Sequence, residues 1–228
     1  MWFFDPQYLL FVGPGILLSL LASWYVKSTF ARYAEVPLAR GLTGAEAAAL
    51  VLQQAGVRDV RVEPTEGYLS DHYDPSAKVL RLSPDVFYGR SISAAGVAAH
   101  EAGHAIQHNV GYALMGIRQA LVLPARIGSQ IGLFIVIAGL ALHALKLAWF
   151  GVILFSAIFL FELVTLPVEV NASTRAKQRL LAAGVVSGAE ADGVASVLRA
   201  AALTYLASLI SSGLQLLYFI TRIRDEER

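Results

Sequence analysis

Residues 127–166 form a run of forty that is apolar apart from its glycines and Ser129, Gln130, His143, Lys146, Ser156, Glu162 and Thr165. As one helix it would be about 60 Å long at ~1.5 Å per residue, twice the ~30 Å hydrocarbon core of a bilayer. It therefore folds back on itself, and the polar break from His143 to Lys146 is the place for the turn. This predicts a transmembrane hairpin with spans of about 127–145 and 147–166. The rest of the chain agrees: 56% of its residues are hydrophobic and 15% are charged, too apolar a balance for a soluble domain of 228 residues.

Two further segments are long enough to cross. Tyr8 to Val26 is almost wholly apolar. Asp5 precedes it and Trp24, Tyr25, Val26 and Lys27 close it, so it reads as a retained anchor and not as a cleaved signal peptide. Ala200 to Ile220 also suffices, with Ser208, Ser211, Ser212 and Gln215 suggesting partial shelter by protein. The expected class is a mainly α membrane protein with about four transmembrane helices and a small cytoplasmic α+β domain. Its expected divisions are an anchor (1–26), a soluble region (27–126), the hairpin (127–166), a polar helical segment (167–199) and a last helix with its tail (200–228). Ten Arg and Lys lie between Lys27 and Arg126, and Arg175, Lys177, Arg179 and Arg199 follow the third span. The positive-inside rule then puts both regions on the cytoplasmic side of the cell membrane, with His143 opposite. Net charge is near zero and no basic run occurs, which excludes nucleic acid as an electrostatic partner.

Within 27–126 the patterns are those of a small soluble unit. Thr43 and Glu46 make a capping box before a short helix, Ala47 to Ala55, that Gly56 stops. Val60 to Glu63 and Lys78 to Leu82 alternate as half-buried strands, with a turn at Asp74-Pro75-Ser76. After Ser83-Pro84-Asp85, Ser91 or Ser93 caps a helix rich in small residues that carries His100-Glu101-Ala102-Gly103-His104.

That pentapeptide is H-E-x-x-H. On a helix its imidazoles lie one turn apart on one face, where a single Zn2+ touches both. Glu101 lies on a neighbouring stripe, placed to act as a general base on water without ligating the ion. The pattern arises by chance in roughly one chain in two hundred of this composition, so its context matters. The chain has no cysteine, so any zinc is held by His and carboxylate. For the third ligand, His108 continues the stripe but lies about 6 Å of helix rise too far along. The metzincin pattern would need its glycine and third histidine where Gln107 and Val110 stand, and fails. Glu169, just after Pro167 at the membrane boundary, is the better candidate.

With Glu169-Val170-Asn171-Ala172-Ser173 downstream, the motif resembles gluzincin membrane proteases of the HtpX type. The whole chain, through Gly41-Leu42-Thr43-Gly44, Asp71-His72-Tyr73-Asp74-Pro75, Gly96-Val97-Ala98-Ala99-His100 and Leu166-Pro167-Val168-Glu169, is similar to the YugP-like bacterial membrane zinc metallopeptidases. The resemblance implies a zinc endopeptidase with His100, His104 and Glu169 as metal ligands and Glu101 as base. Where the HtpX type tends to have Asp four residues after the ligand Glu, this chain has Ser173, so Asn171 or another residue must orient a ligand histidine.

The expected function is hydrolysis of membrane-associated or unfolded proteins at the cytoplasmic face, with protein or peptide substrates and the bilayer as partners. The 79–82 strand is a candidate edge for aligning an extended substrate. Glu162 falls inside a span, seven residues before Glu169, and reads as a boundary carboxyl more than as a site residue. His72 and Tyr73 could line the cleft or stabilise a turn; Arg175 could meet an oxyanion or a lipid headgroup. Two alternatives compete: a zinc-binding membrane scaffold that does not cleave, and a site-2-type intramembrane protease. The second needs an Asp ligand in a later span, but no Asp occurs between Asp85 and Asp192.

Overall fold

The computed structural model describes residues 6–228; Asp5 lies outside the described residues. In chain order the elements are α1 (Pro6–Ala34), α2 (Gly44–Gln54), β1 (Arg61–Pro64), β2 (His72–Asp74), β3 (Val79–Leu82), α3 (Pro84–Phe87), α4 (Ile92–Asn109), α5 (Ala113–Ile127), α6 (Leu133–Ala141), α7 (Leu145–Ala182) and α8 (Gly188–Glu226), with a single π turn, Gly128–Gly132, joining α5 to α6. The protein is mainly α. Four helical stretches are long and apolar enough to cross a membrane: Pro6–Ala34, Ala113–Ala141, Leu145–Ala182 and Gly188–Glu226.

The chain divides into two compact units. The first comprises residues 6–23, 116–167 and 204–228, and holds the most apolar parts of the four long stretches. The hairpin turns where expected: α6 ends at Ala141, His143 takes a positive φ of 50°, and α7 starts at Leu145. Its two arms lie backbone to backbone. A Cβ on Gly139 would fall within 2.7 Å of the Ala148 Cα, and one on Gly151 within 2.5 Å of the Val136 amide nitrogen. Val136, Leu140, Val152 and Phe155 pack with Tyr218 and Phe219 of α8. Ser211 donates to the Gly15 carbonyl and shares a 3.0 Å hydrogen bond with Ser19, which shelters α8 polar groups as the sequence suggests. Glu162 accepts a hydrogen bond from Ser212 in this unit.

The second unit comprises residues 24–115 and 168–203. Its sheet has the order β1-β3-β2, with β1 parallel and β2 antiparallel to β3. This corrects one expectation: β3 is hydrogen-bonded along both edges, so an added strand has to use the outer edge of β1 or β2. The three-residue β2 holds His72 and Tyr73. The capping box is as read: Glu46 N–H donates to Thr43 Oγ1 at 3.1 Å, and Thr43 N–H to Glu46 at 2.7 Å. Alanines 47, 48, 95, 98, 99 and 102 pack α2 on α4, and Ala176, Leu180 and Val194 bring α7 and α8 into the same core.

Pro167 does not end its helix. α7 runs through it, because a proline there removes one hydrogen bond, to the Leu163 carbonyl, while the ladders of the turns on either side persist.

Candidate metal centre

Ser91 caps α4 by accepting from the Ala94 N–H at 3.2 Å, and this sets the helical phase that puts His100 and His104 on one face. Their rings lie 4.7 Å apart. Small residues allow α7 to approach that face: a Cβ on Gly103 would stand 2.6 Å from the Ala172 carbonyl oxygen. The close approach delivers Glu169, whose Oε2 is 3.1 Å from His100 Nε2 and 3.4 Å from His104 Nε2. All three side chains are nearly buried, at 12%, 8% and 2% exposure.

The network around the imidazoles fixes the tautomer of His104. Gln107 is fully buried and its Nε2 donates to the Val168 carbonyl at 2.9 Å and to Asn171 Oδ1 at 3.0 Å, which fixes the orientation of the amide. Its Oε1 must then accept the proton on His104 Nδ1, 3.0 Å away. In the neutral ring His104 Nε2 then carries the lone pair, and in the protonated ring it donates to Glu169. On the other side, Ser173 Oγ is 3.1 Å from His100 Nδ1. Asn171 thus touches neither histidine; it supports Gln107 and accepts from Arg175 Nε at 2.7 Å. Of the options left open by the sequence, Asn171 or another residue, the second applies: Ser173 and Gln107 meet the two Nδ1 atoms. Gln107 was not singled out as a partner for the ligands, although a polar residue three positions after His104 lies on the same helical face, and that was its signal.

Burial pulls the His104 imidazole toward its neutral form. The hydrogen bond to Glu169 and the charges of Glu101 and Glu169 outweigh this and raise its pKa above the usual value. Glu101 is 8% exposed, beside the ligands. Asp71 accepts from both the N–H and the O–H of Ser83. Burial raises its carboxyl pKa, the Ser83 bonds oppose the rise, and the charge of Glu101 adds to it.

The other site expectations fall elsewhere. Tyr73 Oη is 2.8 Å from His108 Nδ1, which engages His108 apart from the three-residue cluster. His72 Nδ1 meets the Ser70 carbonyl, a local turn contact. Arg175 lies over the Tyr112 ring, 6.0 Å from its centroid, and His143 pairs with Glu226 at 3.7 Å.

Two imidazole nitrogens and a carboxylate oxygen within 4.8 Å of one another could hold a metal ion, and this mixed donor set fits zinc with one position open. No solved structure matches the chain. A Bacillus subtilis protein, "Putative membrane protease YugP", is 46% identical over 203 residues, covering 89% of this chain and 90% of the relative. Residues 8–224 match the family described as "Putative neutral zinc metallopeptidase". On these grounds, together with a buried His-His-Glu cluster, the chain belongs to that zinc metallopeptidase family.

Proposed function

We propose that the protein is a membrane-embedded zinc endopeptidase whose site, formed by regions 27–126 and 167–199, faces the cytoplasm. The observation that carries this reading is the convergence of His100, His104 and Glu169, with Glu101 on the adjacent stripe of the same helix. The distribution of basic residues supports the orientation. When bound, zinc supplies positive charge that lowers the pKa of water toward neutrality and stabilises negative charge on a carbonyl oxygen. His100, His104 and Glu169 would hold the ion, and Gln107 and Ser173 engage the Nδ1 atoms of the two rings, leaving each Nε2 toward Glu169. Glu101 takes the proton of the attacking water and passes it to the leaving amine. The outer edge of β2, which packs against α4, aligns an extended substrate through main-chain hydrogen bonds. Membrane-associated or unfolded polypeptides suit such recognition, which asks little of side-chain sequence.

Glu101→Gln is expected to retain zinc at wild-type stoichiometry and to lose cleavage of an unfolded substrate by about a hundredfold or more. Wild-type cleavage by this variant would remove the assignment of the base. Glu169→Ala is expected to lose zinc, read by metal analysis of the purified protein; unchanged content would remove the third ligand.

A further inference from the structure

A groove of about 310 Å3 runs between α7 and α8 in the second unit. Val170, Ser173 and Lys177 line one wall, and Leu198, Arg199 and Ala202 the other. Residues 170, 173, 174 and 177 repeat along one stripe of α7, and 195, 198, 199 and 202 along one stripe of α8. The groove is therefore built from two helical faces laid side by side. Its walls are mainly apolar. Two cations, Lys177 and Arg199, stand on them and no carboxylate does. The nearest acid on the α8 stripe is Asp192, seven residues from Arg199 or about 10 Å along the axis, on the side away from the apolar segment.

The groove also has an apolar end and a charged end. Val170 on α7 and Leu203 on α8 are exposed apolar residues at the end of the groove from which each helix runs on, along the chain, into its long apolar stretch. Side chains on a helix lean toward its amino terminus, which carries the Lys177 amine back along α7 and Arg199 back along α8, where its guanidinium donates to Ser196 Oγ at 3.4 Å. An occupant that matches both ends has a long apolar body and an anionic head. A bilayer supplies such a molecule at this level, and charge complementarity selects among its lipids.

We propose that this groove is a binding site for an anionic phospholipid, with the phosphate between Lys177 and Arg199 and an acyl chain along Val170, Leu198 and Ala202. Ser173 lines the groove and its hydroxyl touches His100 Nδ1, so the lipid seats directly behind a residue assigned above as a metal ligand. Influence of the lipid on the metal rests on that assignment; binding of the lipid does not.

The test is native mass spectrometry of the full-length protein after exchange into nanodiscs of phosphatidylglycerol or phosphatidylcholine. The wild type is expected to retain phosphatidylglycerol selectively. Lys177→Ala with Arg199→Ala is expected to weaken that retention by about 30-fold, from two cations at the surface of an anionic membrane. Ala202→Phe, which fills the groove and leaves both cations, is expected to lose it too. Arg58→Ala with Arg61→Ala, which removes two cations of the same unit outside the groove, is expected to retain lipid as the wild type does. Equal retention of the two lipids by the wild type overturns the proposal, as does unchanged retention in the double groove variant. Displacement of phosphatidylglycerol by millimolar inorganic phosphate would assign the cations to a free anion and overturn the lipid site. Circular dichroism melts and zinc content identify a variant that has merely unfolded, and Ala202→Phe then stands as the independent arm.

Discussion

Replacing Gln107 by leucine keeps a side chain of similar size in a fully buried place, but removes the acceptor for His104 Nδ1 and the donor to the Val168 carbonyl. Zinc retention is expected to weaken about 10–100-fold, measured by competition with a chelator. Ser173→Asp makes the opposite change, adding a carboxylate against His100 Nδ1, and zinc should be held at least as tightly. Unaltered retention in Gln107→Leu would mean that His104 is oriented by packing alone. Asp71 gives a pH signature. Its folded pKa is raised, so its contribution to stability is present below the ordinary carboxylate value of about 4 and is lost as pH rises through the raised value. Asp71→Asn keeps an acceptor for Ser83 and cannot ionise. Thermal melts across that window should decline for the wild type and stay flatter for the variant; parallel curves would show that the carboxyl does not titrate on folding.

Between α4 and α7, contact depends on a missing side chain. A methyl at Gly103 would press on the Ala172 backbone, which cannot swing aside as a side chain end can. Gly103→Ala gains roughly 1 kcal/mol in helix propensity and is expected to lose about 1–3 kcal/mol to overpacking. A lowered melting temperature with reduced zinc content is the expected outcome, and a stabilised variant would show that the helices have room to separate. Which elements could be foreseen depends on how local their causes are. The capping box at Thr43, the hairpin turn at His143 and the phase of α4 are set by residues within one or two turns, and all were readable. β2 was not, because three residues give no period and its pairing to β3 is tertiary. Continuation through Pro167 was not either, since a local rule predicts a break and the helical turns on both sides override it. At the site, the two histidines and Glu169 stood out by type and place. The hold of Gln107 on Val168 and Asn171 crosses more than sixty residues and has no local trace.

For the whole molecule, the absence of cysteine makes its orientation simple to measure. Ser76 is exposed in the turn between β2 and β3, and the His143 side chain is 84% exposed at the hairpin turn. A membrane-impermeant maleimide applied to intact cells is expected to label His143→Cys and to leave Ser76→Cys untouched until the membrane is opened. The reverse pattern would place the metal cluster outside. One further property follows from α7 being a single helix through Pro167. Glu169 lies three residues beyond Leu166, the last residue of the long apolar run, so helix rise alone puts its backbone about 4.5 Å past that point. The helical ladder of α7 continues from one to the other, so this spacing along the chain is set by the helix itself. For the endopeptidase proposed above, scissile bonds are expected within a few residues of a substrate's apolar segment, and lengthening the polar stalk between the two should reduce cleavage.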